Sequence, residues 1–173
     1  NAPRVRAVAH TDIGRRREEN QDSYGIIEST SCTLYFVCDG MGGVRGGALA
    51  SQLAVATIKE CLEQSGSALA IDSLTRAVQE ANIRIHKRGT EDHTLSGMGT
   101  TFVGVGFIGA EMLIASVGDS RAYRVRGNEV TQLTEDHTLV MELVRQGALS
   151  PDQASNHPVS HMLTRSLGPM SQV

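Results

Sequence analysis

The sequence predicts an α+β fold in which helices pack outside antiparallel sheets. Two long helical patterns separate the first short strands from a run of closely spaced strands in residues 100–133. Turn signals such as Gly109-Ala110 and Gly127-Asn128 join these later strands, which is typical of antiparallel hairpins. At 173 residues the chain has the length of one domain with a substantial core. We therefore expect residues 1–173 to form a single domain.

Three strand candidates open the chain. Residues 4–10 read as the first strand and are followed by a turn at 11–14. Residues 23–27 read as the second. Residues 34–37, Leu-Tyr-Phe-Val, are too short for a helix and have the composition of a buried strand.

Apolar residues at spacings of three and four predict two long helices. The first begins near residue 47 and carries Leu49, Leu53, Ala56, Ile58 and Leu62. The second covers about residues 70–87, and its apolar face carries Leu74, Ala77, Val78, Ala81 and Ile85.

The last part of the chain reads as short strands followed by short helices. Strands are predicted at residues 100–107, 111–117, 121–125 and 129–133, after a polar loop at 90–99. A helix should cover residues 138–146 and stop at Gly147. Ser150-Pro151 then has the pattern of a cap followed by proline at the first helical position.

Composition and charge argue against several classes of function. The net charge is −3 and the isoelectric point is about 6.1, so no global basic field favours nucleic acid or an acidic membrane surface. No apolar run approaches the ~20 residues of a membrane span. Cys32, Cys38 and Cys61 have no zinc-type spacing and cannot all pair, which favours a reducing, cytoplasmic setting.

Asp39 stands where the buried strand 34–37 leaves the core. Gly40, Gly42 and Gly43 follow, so the backbone there can turn sharply and approach a ligand closely. A carboxylate beside accessible carbonyls suits a hard cation. The stretch fits equally well an ordinary strand followed by a glycine turn, with Asp39 as a cap.

Two further polar clusters lie beside strand ends. Arg17 precedes the carboxylates that lead to Asp22, and a guanidinium there could bind phosphate oxygens. Asp119 lies in a glycine turn between two strands. The alternatives are a solvated charge run and an ordinary hairpin turn. If Asp22, Asp39 and Asp119 converge, their oxygen ligands favour Mg²⁺ or Mn²⁺ over zinc.

Several motifs in order resemble those of the metal-dependent type 2C protein phosphatases, in their bacterial form. Two later stretches, 133–138 and 157–168, extend the similarity, which runs over about residues 8–168. The motifs are Arg17-x-x-Asn20-Gln21-Asp22, Val37-Cys38-Asp39-Gly40-Met41-Gly42-Gly43, Ser96-Gly97-Met98-Gly99-Thr100-Thr101 and Val117-Gly118-Asp119-Ser120-Arg121-Ala122-Tyr123.

The resemblance implies a four-layer αββα fold, an antiparallel β-sandwich flanked by helices. It also implies hydrolysis of phosphoserine and phosphothreonine in proteins by a metal-activated water. Two Mn²⁺ or Mg²⁺ ions would be required, with a third as a weaker addition. The substrates would be phosphoproteins made by a serine/threonine kinase, with no nucleic acid or membrane as partner.

The same resemblance assigns roles to single residues. Asp39 would bridge two ions, and Gly40 would offer its carbonyl to one of them. Asp22, with Gln21 as a further candidate, would act through metal-bound water. Arg17 would hold the substrate phosphate.

Asp119 would help to bind the third ion. Residues 139–159 would form a flap beside the active site. His137 and His161 lie in family-like segments without an assigned role, whereas His10, His86 and His93 are expected to be surface or structural residues.

The sequence also departs from the family pattern. The family carries two late metal-binding aspartates, one in Ser-Asp-Gly and one before Asn, and this chain contains neither. Met41 and Val44 stand where many relatives have histidine. We therefore expect the C-terminal part of the fold to be missing and a 173-residue form to hold little metal, show little activity and self-associate.

Two other functions remain open at this point. The chain could be a non-catalytic member that keeps the fold as a binding or regulatory module. A metal-dependent nuclease or pyrophosphatase would use similar carboxylates, although the acidic charge balance argues against a nuclease.

Overall fold

An antiparallel sheet with two long helices against one face forms the centre of the structure. The computed structural model describes residues 5–29, 32–65 and 68–173, without the side chains of residues 44, 45 and 65. The main sheet has the strand order β1-β2-β4-β5, and the short β3 also pairs with β2. Its strands are β1 (Asp22–Glu28), β2 (Thr33–Met41), β3 (Gly99–Thr100), β4 (Phe102–Ile108) and β5 (Glu111–Val117).

Strand β2 is the centre of this sheet, and its side chains alternate between core and solvent. Leu34, Phe36 and Cys38 are buried, whereas Val37 is 46% exposed. This period-2 pattern follows from the pleat of a strand with one face packed on the core. The ring of Phe36 packs against Phe102 of β4, with centroids 5.7 Å apart.

The buried face of the sheet packs on α1 (Gly43–Ser65), which in turn packs on α2 (Ile71–Glu91). Ala50, Ala54 and Ile58 of α1 are fully buried. Helix α2 buries all five residues of its predicted apolar face, Leu74, Ala77, Val78, Ala81 and Ile85. The antiparallel sheet with helices packed against it confirms the predicted α+β class.

Helix α1 differs from the prediction in its start and in its buried face. It begins at Gly43, four residues before the predicted position 47, so Gly46 and Gly47 are helical. Ala56, predicted on the apolar face, is exposed. Ser51 is fully buried instead, because its hydroxyl donates to the Gln21 carbonyl at 2.6 Å.

The predicted strand at residues 4–10 is wrong for the part that the structure describes. Residues 5–10 form no strand there, and Arg4 lies outside the described residues. The segment instead lines a groove over Tyr24, Ile26 and Val37, on the exposed face of β1 and β2. Because the segment lies over the face of the sheet and not along a strand edge, it forms no ladder with β1.

The remaining elements follow the predicted order closely. Strands β6 (Tyr123–Arg126) and β7 (Glu129–Gln132) form a separate hairpin. Helix α3 (Leu139–Arg145) starts at the Thr138 cap, and α4 (Pro151–Ser155) starts at the Ser150 capping box. In the described part of the chain, no helix is both long and apolar enough to cross a membrane.

Candidate active site

Two aspartates meet across the first pair of strands. Asp22 opens β1 and lies directly opposite Asp39 in the antiparallel ladder with β2. Residues directly opposite each other place their side chains on the same face of a sheet, so these carboxylates are neighbours. Both residues reach the surface, although neighbouring groups partly shield the Asp39 carboxyl from water.

Three other charged residues lie close enough to the Asp39 carboxyl to shift its pKa. The pKa of Asp39 is raised to about 6. The largest cause is partial removal from water, followed by repulsion from Asp22, a hydrogen bond with Asp22 and repulsion from Asp119. Arg17 acts in the opposite direction and lowers it. The predicted cluster of one arginine and three strand-end aspartates is therefore brought together at this edge of the sheet.

Gln21 holds Arg17 beside the glycine loop. The Arg17 guanidinium donates from Nη1 to Gln21 Oε1 at 2.6 Å. The Gln21 amide donates from Nε2 to the carbonyl of Gly43 at 2.8 Å. Both polar atoms of the Gln21 side chain are thus engaged, and Arg17 is tied through Gln21 to the first residue of α1.

The stretch after Asp39, from the end of β2 to the start of α1, needs glycine because other chain segments pass against it. A Cβ on Gly40 would overlap the Gly47 carbonyl of α1. Gly42 has φ +119°, and a Cβ there would lie 2.6 Å from the Cα of Met98. These close approaches are possible only because neither position carries a side chain.

Asp119 lies in the turn that follows β5 and is half-buried. Behind this turn, Arg121 makes a two-pronged ion pair with Asp136, at 2.8 Å from Nε and 2.6 Å from Nη2. The Asp136 carboxylate is buried. This pair fixes the chain immediately after Asp119.

The donors present fit a hydrated Mg²⁺ or Mn²⁺ better than a closed protein cage. Among the described residues, no three or more His, Cys, Asp or Glu side chains form a group that could hold a metal ion by themselves. The cluster supplies oxygen donors only, and repulsion among its carboxylates is relieved by positive charge. Mg²⁺ keeps several waters and is bound through one or two carboxylates plus substrate phosphate oxygens.

The histidines are exposed or form hydrogen bonds with backbone groups. His10, His93 and His161 are exposed, and His86 Nδ1 bonds with the carbonyl of Gly168 at 2.9 Å. Burial, followed by Arg165 and Arg145, lowers the pKa of His137. The His137 ring contacts the backbone of the Asp119 turn, a role that its motif alone did not indicate.

A family model described as protein phosphatase 2C matches residues 13–164. This chain belongs to the protein phosphatase 2C family. The chain is therefore a protein phosphatase, and the resemblance based on its motifs is confirmed.

Relatives and solved structures agree with this assignment. The chain is 38% identical over 169 residues to serine/threonine phosphatase stp of Listeria welshimeri, covering 95% of this chain and 67% of the relative. Serine/threonine phosphatase Stp1 of Staphylococcus aureus superposes with a TM-score of 0.85 at 32% identity, covering 95% of this chain and 66% of that one.

A third comparison concerns metals. The catalytic domain of the serine/threonine protein phosphatase PstP, solved in complex with two manganese ions, matches with a TM-score of 0.75 at 32% identity. The match covers 92% of this chain and 65% of that one. The chain therefore spans about two thirds of the length of the relatives that it matches.

Proposed function

We propose that this protein hydrolyses phosphoserine and phosphothreonine in proteins, with Mn²⁺ or Mg²⁺ as cofactor. One observation carries the proposal: Asp39 lies opposite Asp22, and both Arg17 and Asp119 are near enough to shift the pKa of its carboxyl. A cationic fork beside a cluster of carboxylates suits a phosphate group that binds together with divalent cations.

Asp39 and Asp22 are the residues we propose to hold two ions, with the Gly40 carbonyl as an additional ligand. Asp119 is proposed to contribute to a third, weaker ion. When bound, such ions supply an activated water and offset negative charge on the phosphoryl oxygens. The two manganese ions of the PstP complex support a pair of ions in this family.

Arg17 is proposed to bind and orient the substrate phosphate. Its Nη1 is held by Gln21, so the guanidinium starts from a defined position and loses less freedom on binding. We propose that Gln21 contributes mainly through this contact, because both ends of its amide are already hydrogen-bonded.

Hydrolysis would form a bond from a water oxygen to phosphorus and break the bond from phosphorus to the serine or threonine oxygen. The released oxygen takes a proton and the product is inorganic phosphate. Cys38 is buried and its pKa is raised by burial to about 12, so it is unsuited to act as a nucleophile. The proposed attacking group is therefore a water molecule and not the Cys38 thiol.

The segment 139–159 is proposed to be a flap that contacts protein substrates. It contains α3 and α4, and the residues that flank it pair with each other. Thr138 bridges to Leu163, and the Leu139 amide donates to the Met162 carbonyl at 2.9 Å. An excursion closed in this way can change without disturbing the main sheet.

The proposed substrates are products of a serine/threonine kinase, and the proposed setting is the cytoplasm. All three cysteines lie in the described ranges and none is disulfide-bonded, which suits a reducing compartment.

A substrate comparison tests the proposed reaction class. Phosphate release should be measured with Mn²⁺ for a phosphothreonine peptide, a nucleotide and DNA, using the protein as its gene encodes it. The proposal expects metal-dependent release from the peptide and little from the other two. Preferential cleavage of the nucleotide or DNA would instead indicate a pyrophosphatase or a nuclease.

A further inference from the structure

The hydroxyl of Thr101 lies between the two chain segments that carry Asp39 and Asp119. Thr101 Oγ1 accepts a hydrogen bond from the Asp39 amide at 3.0 Å. The same oxygen lies 2.6 Å from Ser120 Oγ, in a hydrogen bond whose donor can be either hydroxyl. Thr101 is only 3% exposed, so these partners take the place of water.

The backbone of Asp39 is held from the same side at both of its polar atoms. Its carbonyl accepts from the Thr101 amide at 2.9 Å and from Thr100 Oγ1 at 3.0 Å. Its amide donates to Thr101 Oγ1, as described above. Asp39 therefore has little freedom to shift along the strand.

The turn that carries Asp119 is held in a comparable way by His137. The Gly118 amide donates to His137 Nδ1 at 3.1 Å, and the Gly118 carbonyl accepts from the His137 amide at 3.0 Å. An accepting Nδ1 places the ring proton of neutral His137 on Nε2. Gly118 has φ +101°, and a Cβ there would lie 2.7 Å from Thr101 Cγ2, so this turn packs directly on Thr101.

We propose that Thr101, Ser120 and His137 form a positioning frame that sets the separation of Asp39 and Asp119 for cation binding. The inference rests on the proposed function, in which these two carboxylates bind divalent cations. The Thr101 hydroxyl joins Asp39 to Ser120, the residue after Asp119. His137 holds Gly118, the residue before Asp119. Groups that orient metal ligands change metal affinity about 10- to 100-fold when they are mutated.

Thr101 offers a matched pair of variants. Thr101→Val keeps the side-chain shape but removes the hydroxyl, leaving the Asp39 amide without its partner. Thr101→Ser keeps the hydroxyl and loses a methyl group. A role limited to packing would make the serine variant the worse of the two, whereas a positioning role makes the valine variant the worse.

The test measures Mn²⁺ affinity, by the electron paramagnetic resonance signal of free Mn²⁺, for the wild type and both variants, each in the form that the gene encodes. Thr101→Val should weaken Mn²⁺ binding about 10- to 100-fold, and Thr101→Ser should stay close to the wild type. Circular dichroism and thermal unfolding show whether each variant is folded. A folded valine variant with wild-type Mn²⁺ affinity would overturn the proposal.

Amide hydrogen exchange in the metal-free protein provides a second readout. Exchange at the Asp39 amide should accelerate in Thr101→Val and not in Thr101→Ser, because only the valine removes its acceptor. Unchanged exchange at Asp39 in the valine variant would refute the frame itself. Absence of Mn²⁺ binding in the wild type would refute the proposed function, so the two failures are distinguishable.

Discussion

Asp22 and Asp39 lie directly opposite each other on β1 and β2, and repulsion by Asp22 helps to raise the pKa of Asp39. Like charges opposite each other destabilise an antiparallel pair, so this arrangement costs the fold stability when no cation is present. Backbone hydrogen bonds hold Asp39 in place. Its amide donates to Thr101, just after β3, and its carbonyl accepts from Thr100, within β3. The Asp22–Asp39 pair is therefore better explained by a role in cation binding than by a contribution to the stability of the fold.

Protonation of Asp39 should make the metal-free protein more stable at mildly acidic pH. Its pKa is raised from 3.8 to about 6, so between these values the folded state binds more protons than the unfolded state. The free energy of unfolding should consequently fall as pH rises from 5 to 7. Urea unfolding in the presence of a chelator at the two pH values measures this change.

The control for this experiment is Asp39→Asn, which removes the titrating carboxyl at nearly constant volume. Its free energy of unfolding should depend less on pH between 5 and 7 than that of the wild type. Asp92→Asn is a matched aspartate variant elsewhere: hydrogen bonds from Thr94 lower the pKa of Asp92 below its usual 3.8. Asp92 is therefore ionised in both states between pH 5 and 7, and its replacement should leave the pH dependence in this range as in the wild type. An identical pH dependence in Asp39→Asn and the wild type would contradict the shift assigned to Asp39.

Arg17→Ala should weaken phosphate binding without removing cation binding. A hydrogen bond to a charged group contributes about 1.5–3 kcal/mol, so the affinity for inorganic phosphate should fall about 10- to 100-fold. Isothermal titration calorimetry with phosphate, in the presence of Mn²⁺, measures the loss. Arg16→Ala, at the neighbouring exposed arginine, is the control and should have a much smaller effect. Loss of Mn²⁺ binding with unchanged phosphate affinity would mean that the role given to Arg17 is wrong.

The ion pair behind the Asp119 turn should contribute measurably to stability. Asp136 is 8% exposed and accepts two bonds from Arg121, so Asp136→Asn should destabilise the fold by about 1–3 kcal/mol. Glu135→Gln breaks the Arg145–Glu135 pair, in which both side chains are about half exposed, and should cost about 0–1 kcal/mol. Chemical denaturation of both variants provides the comparison. Equal effects would show that burial of Asp136 adds nothing.

Exchange of residues 139–159 for the corresponding segment of a relative should alter the choice of peptide more than the basic chemistry. The segment joins the fold through the Thr138–Leu163 bridge and contains none of the proposed cation ligands. We expect kcat/KM to change for phosphopeptides while turnover of p-nitrophenyl phosphate stays close to the wild-type rate. Comparable changes for both substrates would argue against a flap that selects proteins.

Local sequence patterns predicted most elements of the fold because those elements depend on nearby residues. The strand 34–37 and the apolar face of α2 follow from composition and periodicity. The extension of β2 to Met41 does not, since it depends on pairing with Gly99 and Thr100, far away in the chain. The early start of α1 has a similar cause, because Gly46 and Gly47 are inside the helix where Met98 and Gln21 pass closely.

The site could be predicted only as separate pieces. Strand-end positions and glycines identified Asp22, Asp39 and Asp119, but their convergence depends on the register of β1 and β2 and on the turn after β5. The contributions of Thr101 and His137 could not be predicted, because their hydrogen bonds join segments distant in sequence. A threonine at the end of a short strand carries no local signal of such a contact.

The most direct test of the central claim is Mn²⁺-dependent phosphate release from a phosphothreonine peptide by the wild type and by Asp39→Asn, in the protein as its gene encodes it. Electrostatic stabilisation by such a site is worth about 100-fold or more in rate. We expect Asp39→Asn to lose at least that much turnover while keeping its fold by circular dichroism. Turnover close to the wild-type rate at saturating Mn²⁺ would contradict the assignment of Asp39 as the central cation ligand.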